Sequence, residues 1–363
     1  MKKLGFGIMR LPMLDKEIDI EQTKKMVDTF LENGFNYFDT ARIYLGSRCE
    51  WAIKQALTSR YPRESYILTD KLSPSCFEKE EDIRPLVDSQ LNDCGVEYFD
   101  YYLMHSQHRG NYQKYKDCRA YEICAELREE GKIKHLGISF HDNAEFLDTI
   151  LTEHPAIEVV QLQFNYVDYD SPSVQSRACY EVARKHGKQV LIMEPVKGGS
   201  LANIPDDAKA VFEKVGNGSP ASYAIRFAAG FDGVLCVLSG MSNMEQMNDN
   251  ISFMKDFEPL NEDEMKAVEE VKSILYNKYM IPCTGCKYCV DGCPMNIKIP
   301  RLFYQMNQLT AFCDKDAFAA YARITSESGK ASECVECGAC EESCPQHLEI
   351  RSLLKKVAET FEN

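Results

Sequence analysis

Apolar residues make up 44% of this 363-residue chain, yet they nowhere run together over the roughly 20 positions that a membrane-spanning helix requires. No membrane partner is therefore expected. The opening MKKLGFGIMR holds no apolar stretch of the kind that heads a secretory signal, so the expectation is a cytoplasmic chain whose cysteines stay reduced. Positive charge is also scarce: 42 Lys and Arg stand against 56 Asp and Glu, a formal net charge of −14. That balance argues against nucleic acid and anionic lipid as partners. Only about one unit of the excess falls in residues 276–363; the rest belongs to the longer N-terminal part. A glycine is missing too. The first β-like run reads Leu4-Gly5-Phe6-Gly7-Ile8-Met9 and continues into Arg10-Leu11-Pro12, so the Gly-x-Gly-x-x-Gly turn of a doubly wound dinucleotide-binding sheet is not there.

What the chain does hold, between residues 4 and 239, is short β-like runs alternating with segments of helical apolar spacing. The runs fall at 4–9, 36–39, 66–70, 101–105, 134–139, 159–165, 189–194 and 233–239. Helical spacing occupies 20–31, 50–58, 82–92, 118–129, 144–152, 174–185 and 221–228. Eight strands alternating with helices over about 240 residues is the arithmetic of an α/β fold of the (β/α)8 TIM-barrel type.

The C-terminal part reads differently. Cys283, Cys286, Cys289 and Cys293-Pro294 are repeated by Cys334, Cys337, Cys340 and Cys344-Pro345. Zinc usually takes two C-x2-C pairs, and disulfides need an oxidising compartment, so both fit this doubled pattern poorly. The pattern resembles that of ferredoxins carrying two [4Fe-4S] clusters. The resemblance implies a crosswise ligand set: Cys283, Cys286, Cys289 with Cys344 for one cluster, and Cys334, Cys337, Cys340 with Cys293 for the other. The remaining cysteines (49, 76, 94, 118, 124, 179, 236 and 313) lack ligand spacing and read as free thiols. Between Cys293 and Cys334 lie 40 residues with helical spacing around Leu302, Phe303, Met306 and Leu309, and again around Phe318, Tyr321 and Ile324. That insert is similar to the helical ferredoxin domain of the succinate dehydrogenase iron-sulfur subunit. A polar cap at Asn261 opens a helix expected to run to Tyr276, so the division is placed at 1–275 for the barrel and 276–363 for a small, mostly α-helical dicluster ferredoxin-like domain.

In a TIM barrel the chemistry sits at the C-terminal ends of the strands. Those places supply Asp39 and Tyr44 after the second run, Lys71 after the third and His105 after the fourth. Singly each has an ordinary reading: a helix cap, a loop aromatic, a solvated charge, a satisfied histidine. In this order at successive strand ends they point to catalysis. Together with Gly137-Ile138-Ser139, Gln163 and Ser239-Gly240-Met241 they resemble the aldo/keto reductase family over about residues 4–250.

The resemblance implies an oxidoreductase using NADP(H) or NAD(H) on a small-molecule carbonyl substrate. Tyr44 is the implied proton donor, made more acidic by the Lys71 ammonium; Asp39 holds the lysine and His105 orients the carbonyl. It also implies nucleotide contacts from Ser139, Gln163, Met193, Ser239, Gly240, Met241, Gln246 and Asn250. Pro195, Lys197 and Gly198 lie in a Gly-rich loop that either approaches the pyrophosphate or is only a turn. Phe140 and Met193 depart from the family's usual asparagine and nicotinamide-stacking aromatic, and 241–250 holds no Lys or Arg for a ribose 2′-phosphate. A hydride carries two electrons and a [4Fe-4S] cluster moves one, so direct exchange calls for a flavin-like intermediary, of which no motif is visible. An electron-transfer protein linking clusters, nicotinamide or flavin and a redox partner protein, or a non-catalytic docking module, are the alternatives.

Overall fold

The computed structural model describes residues 1–363 apart from Ser173 and Asn217, and apart from the side chain of Asp291. Eight parallel strands close into a barrel: β1 (Leu4–Gly7), β2 (Tyr37–Asp39), β3 (Ile67–Leu72), β4 (Phe99–Gln107), β5 (Ile133–Phe140), β6 (Val159–Gln163), β7 (Gln189–Met193) and β8 (Val234–Ser239). They pair in sequence order, and β1 closes the ring against β8, with Phe6 beside Ser239. Helices such as Ile20–Glu32, Ile83–Cys94, Ala144–Glu153 and Ser176–Lys185 link successive strands. All eight strand expectations correspond to strands, with ends moved by a few residues.

The barrel interior is filled by side chains from several strands, among them Tyr37, Leu103, Val159, Leu191, Cys236 and Leu238. Two glycines make that packing possible. A Cβ at Gly137 would come 2.5 Å from both Leu103 and Val159 side chains, and one at Gly5 would come 2.6 Å from Cys236 Sγ. Neither space exists in a close-packed interior.

Several local features escaped the sequence reading, the helix Arg109–Asp117 after β4 among them. A hairpin, Met13–Leu14 with Glu17–Ile18, is too short to show a period of two. The helices Asp206–Val215 and Met244–Met254 lie where the sequence reading assigned no secondary structure.

The chain divides into two compact units. The first holds the barrel: residues 1–170, 174–196 and 221–260. The second holds 171–173, 197–220 and 261–363. The helix Glu262–Ile274 thus groups with the cysteine-rich part, as does the segment 197–220 that leaves β7. Asp207 joins it there, accepting from Lys278 Nζ at 2.8 Å and Tyr279 Oη at 2.9 Å.

Within the second unit the structure is mostly helical, with Tyr288–Asp291, Ile299–Phe312, Asp316–Thr325, Ala339–Glu342 and Ile350–Phe361. Leu302, Phe303, Tyr321, Ile324, Leu354 and Val357 form its apolar centre. The two cysteine motifs repeat in backbone as well as in sequence. Gly285 and Glu336, Lys287 and Gly338, and Asn296 and His347 are corresponding pairs, and all six are left-handed. Each motif then turns through the same short helix, at Tyr288–Asp291 and Ala339–Glu342.

Among the described residues no helix is long and apolar enough to cross a membrane.

Candidate active site and cluster-binding site

Parallel pairing brings the ends of β2, β3 and β4 side by side, with Asp39 opposite Thr69 and Lys71 opposite Leu103. Lys71 is fully buried and would be intolerable there without partners. Its Nζ donates to Asp39 Oδ1 at 2.5 Å and to the Thr40 carbonyl at 2.7 Å. Burial opposes the lysine charge, but the Asp39 carboxylate, with Tyr44 and Asp70 adding to it, more than offsets this and raises the Lys71 pKa.

The Tyr44 ring centroid is 5.0 Å from that ammonium, and the ring meets His105 edge-on with centroids 5.8 Å apart. The four residues are therefore brought together. One expectation is corrected. Burial pushes the Tyr44 phenol above its ordinary value, and Lys71 lowers it again only in part, so the net direction is upward rather than toward greater acidity. Desolvation dominates because the phenolate loses water before it gains the ammonium.

His105 is held neutral. Burial, with Lys71 and His141 nearby, lowers its pKa to about 3. Its Nδ1 pairs with Ser73 Oγ at 2.7 Å. Ser73 was not singled out from sequence, and neither was Gln161, whose Nε2 donates to Asp39 Oδ2 at 3.0 Å. An amide within the apolar run Val159–Gln163 was the available signal for Gln161. Nothing in sequence distinguished it from Gln163, two positions along on the same face.

Beneath Lys71 lies a second polar group. Asp70 and Glu50 are both buried, and burial together with their mutual repulsion raises the Asp70 pKa well above the carboxylate range. Gln90 Nε2 and Arg42 Nη1 reach the two oxygens of Glu50, each at 3.0 Å.

The residues expected at the nucleotide fall into separate settings. Ser139 is buried and its Oγ accepts from the Ser106 amide at 2.7 Å. Gln163 donates to Asp168 at 3.0 Å. Asn250 donates to Ser239 Oγ at 2.7 Å, and Gln246 Oε1 accepts from the Ser242 amide at 2.7 Å. Met241 and Pro195 are buried, Met193 is half-buried, and Gly240 follows β8 directly. Lys197 and Gly198 belong to the second compact unit, where Lys197 Nζ lies 5.9 Å from the Phe312 ring.

In that second unit two hollows are walled by cysteines. One is lined by Cys283, Cys286, Cys289 and Cys344, the other by Cys334, Cys337, Cys340 and Cys293. Ile299 forms part of both walls. Among the described residues no three His, Cys, Asp or Glu gather so as to hold a single metal ion. The thiols instead surround a space, a donor set that suits an iron-sulfur cluster.

An eight-stranded parallel barrel with an aspartate, tyrosine, lysine and histidine at adjacent strand ends, joined to a cysteine-walled helical module, is the architecture of a two-domain redox enzyme. Residues 3–273 match the model of the aldo/keto reductase family, and residues 282–349 match that of the 4Fe-4S dicluster domain. The chain belongs to the aldo/keto reductase family and is an oxidoreductase with a C-terminal 4Fe-4S dicluster domain.

Among its relatives are an aldo-keto reductase of Mycolicibacterium smegmatis, 27% identical over 72% of this chain and 86% of the relative, and dihydrodiol dehydrogenase 3 of Bos taurus, 25% identical over 77% and 90%. Solved structures share the fold. The holo form of an aldo-keto reductase from Bacillus halodurans aligns with a TM-score of 0.61 at 23% identity, covering 74% of this chain and 91% of that one. An aldo-keto reductase from Klebsiella pneumoniae in complex with NADPH aligns at 0.60 and 18% identity, covering 74% and 90%.

Proposed function

We propose that the barrel reduces a small-molecule carbonyl with a nicotinamide dinucleotide, with Tyr44 as the proton donor. The observation that carries this is the contact chain Asp39–Lys71–Tyr44, with Lys71 Nζ 2.5 Å from the carboxylate and 5.0 Å from the phenol ring. A reduced nicotinamide, when bound, supplies the hydride. Tyr44, kept protonated at neutral pH by its upward shift, gives its proton to the carbonyl oxygen as negative charge develops there. The Lys71 ammonium then stabilises the phenolate left behind, and Asp39 fixes and balances the lysine. The neutral His105 tautomer that accepts the Ser73 hydroxyl at Nδ1 carries its proton on Nε2, where it is available to the same carbonyl oxygen.

Ser139, Gln163, Met193, Pro195, Ser239, Gly240, Met241, Gln246 and Asn250 are assigned to the nucleotide, with Lys197 and Gly198 as candidates from the loop after β7. NADP(H) is favoured over NAD(H) because the Klebsiella pneumoniae relative is described with NADPH.

Each cysteine-walled hollow is assigned one [4Fe-4S] cluster, two in all, with the crosswise ligand sets given above. An iron-sulfur cluster supplies or accepts one electron at a time. Cys286 and Cys337 are exposed, one for each hollow, which favours electron exchange with a partner protein as a second role. We take 1–275 as the reductase domain and 276–363 as the cluster domain. The test is NADPH oxidation with a panel of aldehydes and ketones under anaerobic conditions: activity lost in Tyr44→Phe and kept in Cys337→Ser supports carbonyl reduction by the barrel.

A further inference from the structure

Arg10 differs from every other arginine in the first 260 residues. The rest each donate a hydrogen bond or join an ion pair, from Arg42 with Asp93 to Arg226 with the Glu258 carbonyl. Among the described residues Arg10 has no such partner, and its side chain is exposed. A guanidinium offers five donors and no acceptor, so an uncommitted one is organised for an oxyanion.

Its stem is nevertheless held in place. Arg10 ends the short turn Ile8–Arg10 that follows β1, and β1 runs beside β8. There the stem lies across bare backbone: a Cβ added at Gly240 would come 3.3 Å from Arg10 Cδ, 3.4 Å from its Cβ and 3.5 Å from its Cγ. Gly240 directly follows Ser239, whose Oγ is bonded by Asn250. The segment 241–250 contains Glu245 and Asp249 but no Lys or Arg, so it brings no cation of its own to a phosphate.

We propose that Arg10 binds a phosphate of the nicotinamide dinucleotide and is the cationic determinant of nucleotide affinity at the β8 end of the barrel. The inference rests on the nucleotide reading of Ser239–Asn250 given above. Gly240 has a part in it, since any side chain there would push the arginine stem aside.

The test is fluorescence titration of the full chain, purified anaerobically, with NADPH and with NADH, for the wild type, Arg10→Gln and Arg10→Lys. Losing a charge-assisted contact should weaken binding by about tenfold or more in Arg10→Gln, with part of the affinity kept in Arg10→Lys. A loss confined to NADPH assigns the contact to the ribose 2′-phosphate; an equal loss for both nucleotides assigns it to the pyrophosphate. The thermal midpoint of Arg10→Gln should equal that of the wild type, which separates lost contact from lost fold. Arg10→Gln binding both nucleotides as tightly as the wild type overturns the proposal. A wild-type chain that binds neither overturns the nucleotide reading itself, and the role of Arg10 with it.

Discussion

Lys71 and Asp39 form an ion pair at the base of the barrel mouth with side-chain exposures of 0% and 6%. A pair so enclosed behaves as a unit. Removing one partner strands the other charge out of reach of water, which costs about 3–5 kcal/mol, whereas removing both charges costs far less. Asp39→Asn is therefore expected to lower the unfolding midpoint of the barrel strongly, and Asp39→Asn with Lys71→Met to recover much of the loss. Denaturant unfolding followed by near-ultraviolet circular dichroism of the two variants checks this.

His105 contributes a pH dependence whose sign follows from its neutral, buried state. Its pKa is about 3 in the fold and about 6.5 in an unfolded chain. Between those values the unfolded chain binds a proton that the folded one refuses, so the contribution is complete above about pH 6.5 and is lost as pH falls toward about 3. His105→Gln should show a shallower fall in stability across that window, measured as unfolding midpoints at a series of pH values.

Ser73 fixes the histidine ring through a single contact of 2.7 Å. A neutral hydrogen bond of that kind is worth about 1 kcal/mol, so Ser73→Ala should lower the turnover number by several-fold while Ser73→Thr keeps most of it. Steady-state kinetics with one good carbonyl substrate would decide. An unchanged turnover number in Ser73→Ala would remove Ser73 from the account.

The crosswise cysteine sets make a pattern of equivalences. Cys344→Ser and Cys286→Ser should remove the same cluster, and Cys293→Ser and Cys337→Ser the other, each lowering iron from about eight to about four atoms per chain. Electron paramagnetic resonance of the reduced variants should give two spectra, shared pairwise across the motifs. Four different spectra, or pairing within each motif, would contradict the assignment.

Much of the barrel was legible because apolar β-like runs and helical spacing alternate without interruption from Leu4 to Ser239, and a parallel ring needs little more. Asp39, Tyr44, Lys71 and His105 were visible as polar residues interrupting apolar strand ends. Their supports were not. Gln161 reaches an aspartate 122 positions away, and only the closure of the barrel brings the two together. Tyr44 shows a different limit: sequence displays the lysine that lowers its pKa but not the burial that raises it further. Of the segment 197–220 only the Gly-rich start was legible, as a loop after β7, and its membership of the cysteine-rich unit depends on contacts such as Asp207 with Lys278 and Tyr279, 71 and 72 positions away.

The central claim is that Tyr44 donates the proton in carbonyl reduction by the barrel. Its most direct test is the anaerobic rate of NADPH oxidation with an aldehyde substrate in Tyr44→Phe, a change that removes one hydroxyl and keeps the ring beside Lys71 and His105. Loss of a general acid should lower kcat by about 100-fold or more, with nucleotide affinity and iron content unchanged. A Tyr44→Phe enzyme that turns over at the wild-type rate would contradict the account.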